Sequence, residues 1–435
     1  MNEMVSARMG QSSDAVGPDR NPIIMTLLLP SVFYNGVLAI INNMIMPLGF
    51  SHVAIVEMLI LLMCVIYIMT RGIFSQDLPV LIFLGFNVLV AAYVMVANGA
   101  VFVEYLRSMV IISIFSMMGT WANRRTIILT FRVACIVVLA VLLIEIVDTK
   151  LYENIFNPAS YFENTRGLEQ ISFGGSKLFQ NAQKIPGRFT FGISDHRTSS
   201  VFLEQVSLAN FSGVLIVYLM AMFTELRKWE RFLFIFAIVA IVTTNDSRTM
   251  LIFSALCLLG YFIFPKLNTS LTALIMPAII IAGILVFFLF PDASGDTING
   301  RVVLTIKTLE KISFNSLMGL DVAIVAGLAD SGYAYVVNAG TIFGLIVLWL
   351  FISFYPAGRT APQRRAAYSL SIFFFMNMMI GGNAVFSIKV AALMWFLIGY
   401  MKVSEVGKFG EFQPDNGYIT DPVGQRKSRI AVQSR

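Results

Sequence analysis

A hydrocarbon core about 30 Å thick is crossed by about 20 residues of helix, and the sequence meets that ruler repeatedly. Apolar runs of suitable length lie at approximately 23–42, 53–70, 78–98, 101–121, 126–147, 200–224, 232–246, 248–264, 271–291, 334–355, 367–382 and 384–401. A soluble domain is about 25% charged, whereas this chain is 13% charged and 57% hydrophobic over 435 residues, too little polar surface to cover a water-facing body. The expected fold class is an all-α polytopic membrane protein with about 12 transmembrane helices. The seventh and eleventh runs are short, and the tight junction "TTNDSRTM" between the seventh and eighth leaves a count of eleven open. The first 22 residues are polar and lack a cleavable signal pattern, so the first span is expected to be retained.

Orientation follows from where Lys and Arg sit between spans. With the N-terminus inside, the inner connections are Arg71–Asp77, "NRR", "ELRKWER", Pro265–Lys266, "AGRTAPQRR" and a basic tail over 402–435. The short outer connections near Asn43, Asn98 and Gly381 hold no Lys or Arg. Both termini are therefore expected in the cytoplasm, flanking a transmembrane domain over 23–401. Two outer segments, 148–199 and 292–333, are much longer than the rest. Connections beyond about 15 residues are uncommon unless they are functional or disordered. These two mix glycine, aromatics and both signs of charge, which reads as function.

Several chemistries are disfavoured. Cys64, Cys135 and Cys257 each lie in an apolar run and read as packing residues. His52 and His196 are the only histidines, and no Cys-x-x-Cys or His-x-x-x-His spacing occurs, so neither a metal nor another cofactor is expected. No basic patch with interleaved aromatics points to nucleic acid. No internal repeat is visible.

Ionisable residues inside a membrane are expensive and are functional candidates by default. Glu104 and Arg107, three apart, share one helix face and read as a self-neutralising pair. Arg132 and Lys389 lie near span ends, within reach of the headgroups. The stretch "GRFTFGISDHRTSSVFLEQVSLANF" is different, because its groups converge. Arg188, His196 and Arg197 lie just outside the sixth span, and Glu204 lies about one turn inside it, on one face with Ser207 and Phe211. An unpaired Glu204 would cost several kcal/mol or protonate, so it needs a cation or a wet cavity. Arg248 opens the eighth span after Asp246, and Arg301 and Lys307 lie in the second outer segment. Arginines collected at an outer membrane surface suit a phosphate ligand at headgroup depth, which their planar fork holds at any pH. A lipid-linked pyrophosphate fits that description. Anionic phospholipid headgroups would also explain the arginines, but not Glu204, Asp330 or the two long segments.

The order "GR…HRTSSVFLEQVSLANF", "NDSRTMLIFSAL", "NGRVVLTIKTLEKISFNSLMGL" and "DSGYAYVVNAGTIFGLIVLWLF" resembles the Wzy-type polysaccharide polymerases, nearest those of the xanthan exopolysaccharide type, and their relatives the O-antigen ligases. The resemblance covers roughly 187–351. It implies a GT-C-like glycosyltransferase of the bacterial inner membrane with a periplasmic active site and no nucleotide-sugar site. Such proteins join undecaprenyl-pyrophosphate-linked oligosaccharide repeats, working beside a flippase and a chain-length-regulating co-polymerase. The family's functional arginines would match Arg188 or Arg197, Arg248 and Arg301. O-antigen ligases carry a histidine late in the second long segment. Here "ADSGYAY" stands in its place, bringing Asp330, Tyr333 and Tyr335 to the substrate, which favours polymerase over ligase.

Glycosyl transfer develops negative charge on the departing pyrophosphate, and preorganised arginines would stabilise it without a divalent metal. The acceptor hydroxyl needs a proton acceptor, for which Glu204, His196 and Asp330 are the candidates. Each also has a plain reading: a buried partner of Arg248, a loop-surface residue, and a helix cap. The competing class is a multispan transporter or flippase of lipid-linked oligosaccharide. A major-facilitator carrier would show two six-span halves joined by a long central inner loop, where this chain has only "ELRKWER".

Overall fold

A computed structural model describes residues 21–168, 175–183, 190–328 and 330–404. Most of the N-terminal tail, the basic tail after Ser404 and Arg188 lie outside them. The described residues contain helices and no strand. The helices are α1 (Asn21–Met44), α2 (Phe50–Arg71), α3 (Leu78–Asn98), α4 (Glu104–Thr120) and α5 (Arg124–Val147). Two short helices, α6 (Thr149–Phe156) and α7 (Pro158–Arg166), belong to the first outer segment. Then come α8 (Gln205–Met222), α9 (Lys228–Thr244), α10 (Arg248–Ile263) and α11 (Ile275–Leu289). The second outer segment contains α12 (Ile298–Glu310), α13 (Phe314–Leu317) and a 3-10 stretch, Val322–Leu328. Last are α14 (Gly332–Phe354), α15 (Ala361–Ile380) and α16 (Ile388–Val403).

A helix thus stands at each apolar run, and among the described residues eight are long and apolar enough to cross a membrane: α1, α2, α3, α5, α8, α10, α11 and α14. The other four are short, as α4, α9 and α16 are, or interrupted by polar residues, as α15 is by Gln363, Arg364, Arg365 and Asn377. Three of these, α4, α15 and α16, are buried along most of their length together with α8. A helix surrounded by other helices needs no wide apolar face of its own. The apolar side chains of α2, α10 and α11 face outward instead: Ile55, Leu62 and Met69, Leu258 and Phe262, Leu285 and Phe288 are all exposed. Such a belt suits contact with lipid tails.

Helix starts follow local chemistry. Asn123, Asp148 and Asn157 accept backbone N–H bonds at the starts of α5, α6 and α7, while Thr360 and Gln363 form a capping box on α15. The interior is tightest where α4 meets α16. A Cβ on Gly119 would run into the Phe396 carbonyl, and one on Gly399 into the Ser116 carbonyl, so the two helices touch backbone to backbone. The helix α14 is broken at Thr341, where φ is 63° and ψ is 168°, a region that suits glycine rather than a β-branched residue. Gly319 of the second outer segment packs against Thr341 and Val94, and the Asn98 side chain secures it by donating to the Gly319 carbonyl (2.7 Å) and accepting from Val322 N–H (3.2 Å).

Candidate functional site

The charged groups collect at the end of the bundle that carries the two long segments. The sixth run turns helical only at Gln205, so Glu204 is the residue before α8 rather than one turn inside it. A 3-10 turn at Ser200–Phe202 and a left-handed Leu203 (φ 64°) delay the start. Among the described residues, three of the five non-glycine residues with positive φ, Ser200, Leu203 and Asp246, lie in this neighbourhood. Such conformations cost on the order of 1–3 kcal/mol each and persist where surrounding contacts over-determine them.

Those contacts are dense. The Asn245 side chain donates to the carbonyls of Thr198 (2.5 Å) and Gln205 (3.0 Å), and Arg197 Nε donates to the Asn245 carbonyl (3.0 Å). Thr198 and Thr244 pair through their hydroxyls (2.9 Å), and Asp246 Oδ1 accepts from Phe191 N–H (2.8 Å). The turn from Asn245 to Arg248 is therefore a hub. It touches Arg197, it holds the residue next to Glu204, and it ends in Arg248 only three peptide units on, about 11 Å of chain at most.

Glu204 does not pair with Arg248. Its Oε2 accepts from Lys389 Nζ (3.3 Å) and Ser207 Oγ (2.9 Å), and its Oε1 from Arg166 (3.2 Å). Lys389 is 2% exposed, Glu204 21% and Arg166 42%, so the set runs from interior to surface. Lys389 therefore does not reach outward to headgroups. Arg166 also lies over the Phe162 ring, 4.5 Å from its centre.

Arg248 donates instead to the Asp296 carbonyl, and Arg301 donates to Asp296 Oδ1 (3.1 Å) and Asp330 Oδ1 (2.8 Å). Two of the expected arginines, from α10 and α12, thus meet at Asp296. Burial opposes the charge on Arg301, and Asp296 and Asp330 more than offset it, raising the guanidinium above its ordinary value. Asp330 does not cap the following helix. Ser331 does so, its side chain accepting from Ala334 N–H. Tyr333 and Tyr335 are both buried, and the Tyr333 hydroxyl donates to the Phe375 carbonyl (3.1 Å).

His196 is not a loop-surface residue. Its Nε2 lies 3.3 Å from Glu145 Oε1, with the histidine side chain 11% exposed and the glutamate fully buried. Glu145 went unremarked in the sequence although it is an acid two residues from the end of an apolar run, the same signal that singles out Glu204. It accepts from the backbone N–H groups of Ser199 (3.0 Å) and Ser200 (2.6 Å) and from Ser199 Oγ (3.3 Å). Tyr152 completes the cluster by donating to the Ser200 carbonyl (2.7 Å). Burial, then the Glu145 charge, push the Tyr152 hydroxyl well above the ordinary tyrosine range, so it stays a donor.

Glu57 is a second acid the sequence reading passed over. It pairs with Arg107 along one edge of the guanidinium, Nε to Oε1 and Nη2 to Oε2, and accepts from the Tyr34 hydroxyl (3.0 Å), so Arg107 finds its partner across two helices rather than in Glu104. Arg132 likewise turns inward to Glu230 and lies over Trp229. Among the described residues no group of three His, Cys, Asp or Glu is placed to hold a metal, and the three cysteines are free and buried.

The sequence matches no protein-family model, no curated protein and no solved structure.

Proposed function

We propose that the chain is a polysaccharide polymerase of the bacterial inner membrane, crossing it twelve times with both termini in the cytoplasm. In this reading it transfers a growing glycan from its undecaprenyl pyrophosphate to a hydroxyl of a fresh lipid-linked repeat on the periplasmic face. The observation that carries the proposal is the meeting of Arg248 and Arg301 at Asp296, beside the hub that holds Arg197. Guanidinium groups from separate elements, held in place before any ligand arrives, are what a departing pyrophosphate requires. Asp330, whose side chain is 70% exposed, contributes a pairing that an incoming phosphate can replace, since exposed ion pairs are worth about 0–1 kcal/mol. The buried helices α4, α15 and α16 serve as crossings because neighbouring helices cover them, and α9 does so with apolar side chains such as Phe232, Phe236 and Val239 turned outward.

The break in α14 at Thr341 favours a second reading, because interrupted helices are a feature of membrane carriers. One experiment separates the two. Purified protein in liposomes, supplied with lipid-linked repeats and no nucleotide sugar, lengthens the glycan if it is a polymerase. A carrier moves the repeats between leaflets and leaves their length unchanged.

A further inference from the structure

The pairing of His196 with Glu145 carries an inference that rests on the polymerase reading and deepens it. Apart from His196, the groups hydrogen-bonded to the Glu145 carboxylate among the described residues are donors, and two of them are backbone N–H groups, which have no alternative role. The carboxylate is therefore an acceptor throughout. That settles the imidazole, because the nitrogen facing it, Nε2, must carry the hydrogen. Nδ1 is then the nitrogen with a lone pair, and no hydrogen bond to it occurs among the described residues.

The other two candidate bases are differently placed. Glu204 is held by two cations and a hydroxyl, and a carboxylate so paired is a weak proton acceptor. Asp330 is occupied by Arg301. His196 alone is backed by a buried anion that would stabilise the imidazolium once a proton arrives, an arrangement that orients a base in many hydrolytic sites. The backing is rigid, since the carboxylate pins residues 199 and 200 and Tyr152 closes over them.

We infer that His196 is the proton acceptor for the sugar hydroxyl, with Glu145 as the residue that positions it and fixes its tautomer. The acceptor oxygen forms the new bond to the anomeric carbon and gives its proton to His196 Nδ1. The bond from that carbon to the pyrophosphate oxygen breaks, and its electron pair leaves with the lipid pyrophosphate. The imidazolium then releases the proton to water.

The test has two independent readouts on full-length protein in lipid nanodiscs. In the first, imidazole ¹⁵N NMR of histidine-labelled protein resolves two side chains, and the spectrum of His196→Gln assigns the one that remains to His52. The inference expects neutral His196 with Nε2 protonated and Nδ1 bare, and a loss of that single tautomer in Glu145→Gln. A bare Nε2, or a doubly protonated ring at neutral pH, overturns it. In the second, chain extension is followed kinetically. His196→Gln should lower kcat by about 10²–10⁴-fold, the usual contribution of general-base catalysis, with little change in KM for the lipid-linked repeat. Glu145→Gln should lower kcat by a smaller factor, again without a matching change in KM. Near-normal kcat in His196→Gln, when the wild-type protein extends glycan, removes His196 from the chemistry and leaves the polymerase reading intact. If the wild-type protein extends no glycan, the polymerase reading falls and takes the catalytic role with it.

Discussion

Replacing Glu204 by Gln removes the negative charge that faces the buried ammonium of Lys389, and the outcome can be worked from the geometry. At 3.3 Å and an effective dielectric constant of about 20, the pair attracts by roughly 5 kcal/mol. Stranding a buried charge costs about 3–5 kcal/mol. Shedding the proton from an ordinary lysine at pH 7 costs a similar amount, about 4.6 kcal/mol. Once Glu204 is neutral, Arg166 repels Lys389 more than Glu57 attracts it, so at least about 3 kcal/mol is expected for Glu204→Gln. The opposite change, Lys389→Met, leaves Glu204 with Arg166 and Ser207 and partly in contact with solvent, so about 1 kcal/mol is expected. The double variant should lie close to Lys389→Met, giving a coupling of about 2–3 kcal/mol, at the upper end for neighbouring residues. Unfolding by titration with a denaturing detergent in mixed micelles provides the midpoints. Equal losses in the two single variants, adding without coupling in the double, would refute the reasoning and show that solvent rather than Lys389 neutralises Glu204.

Arg248→Ala and Arg301→Ala should each lower glycan extension by about 10²–10³-fold, with Lys restoring only part because an ammonium lacks the bidentate fork. Full extension in both would reduce these cations to structural ties. Reporter fusions at Asn164 and Gly295 should read periplasmic, and fusions at Lys228 and Arg364 cytoplasmic, whereas a cytoplasmic signal at Asn164 removes the twelve-crossing topology. Thr341→Gly should raise the unfolding midpoint, since it relieves on the order of 1–3 kcal/mol of backbone strain; a lowered midpoint would mean that the threonine side chain holds the break in place.

The positions of the lipid-facing helices, such as α2 and α11, were legible from apolar length, because contact with lipid demands an uninterrupted run, whereas α15, covered by its neighbours, tolerates Gln363 and Asn377 within it. Helix ends were less legible. The sixth run reads as helical from about Ser199, yet Leu203 is left-handed and the helix waits for Gln205, a choice made by contacts with Asn245, 40 residues on. Pairings were the least legible. Arg107 has an acid three residues before it in Glu104 but is bonded to Glu57, 50 residues away, since helix-surface spacing describes only one element and packing brings a better partner from another. Arg248 and Glu204 are joined to different partners for the same reason. Glu145 carried the signal of an acid in an apolar run, yet its role depends on where residues 196–200 return, which no local pattern encodes.

The contact between α4 and α16 divides the molecule mechanically. Neither helix can roll or slip by a residue while Gly119 and Gly399 sit against opposing carbonyls, so the two act as a stator. Arg107 lies on the first turn of one and Lys389 on the first turn of the other, which makes the spacing of those two cations a constant of the machine. In the polymerase reading, a displacement that admits a lipid-borne substrate has to be taken up by parts mounted around that axle, where the hydrogen-bond ladder is already interrupted at Pro30 in α1 and at Thr341 in α14. Paired spin labels on α4 and α16 would then report one fixed distance through the working cycle, and labels placed either side of Thr341 a changing one.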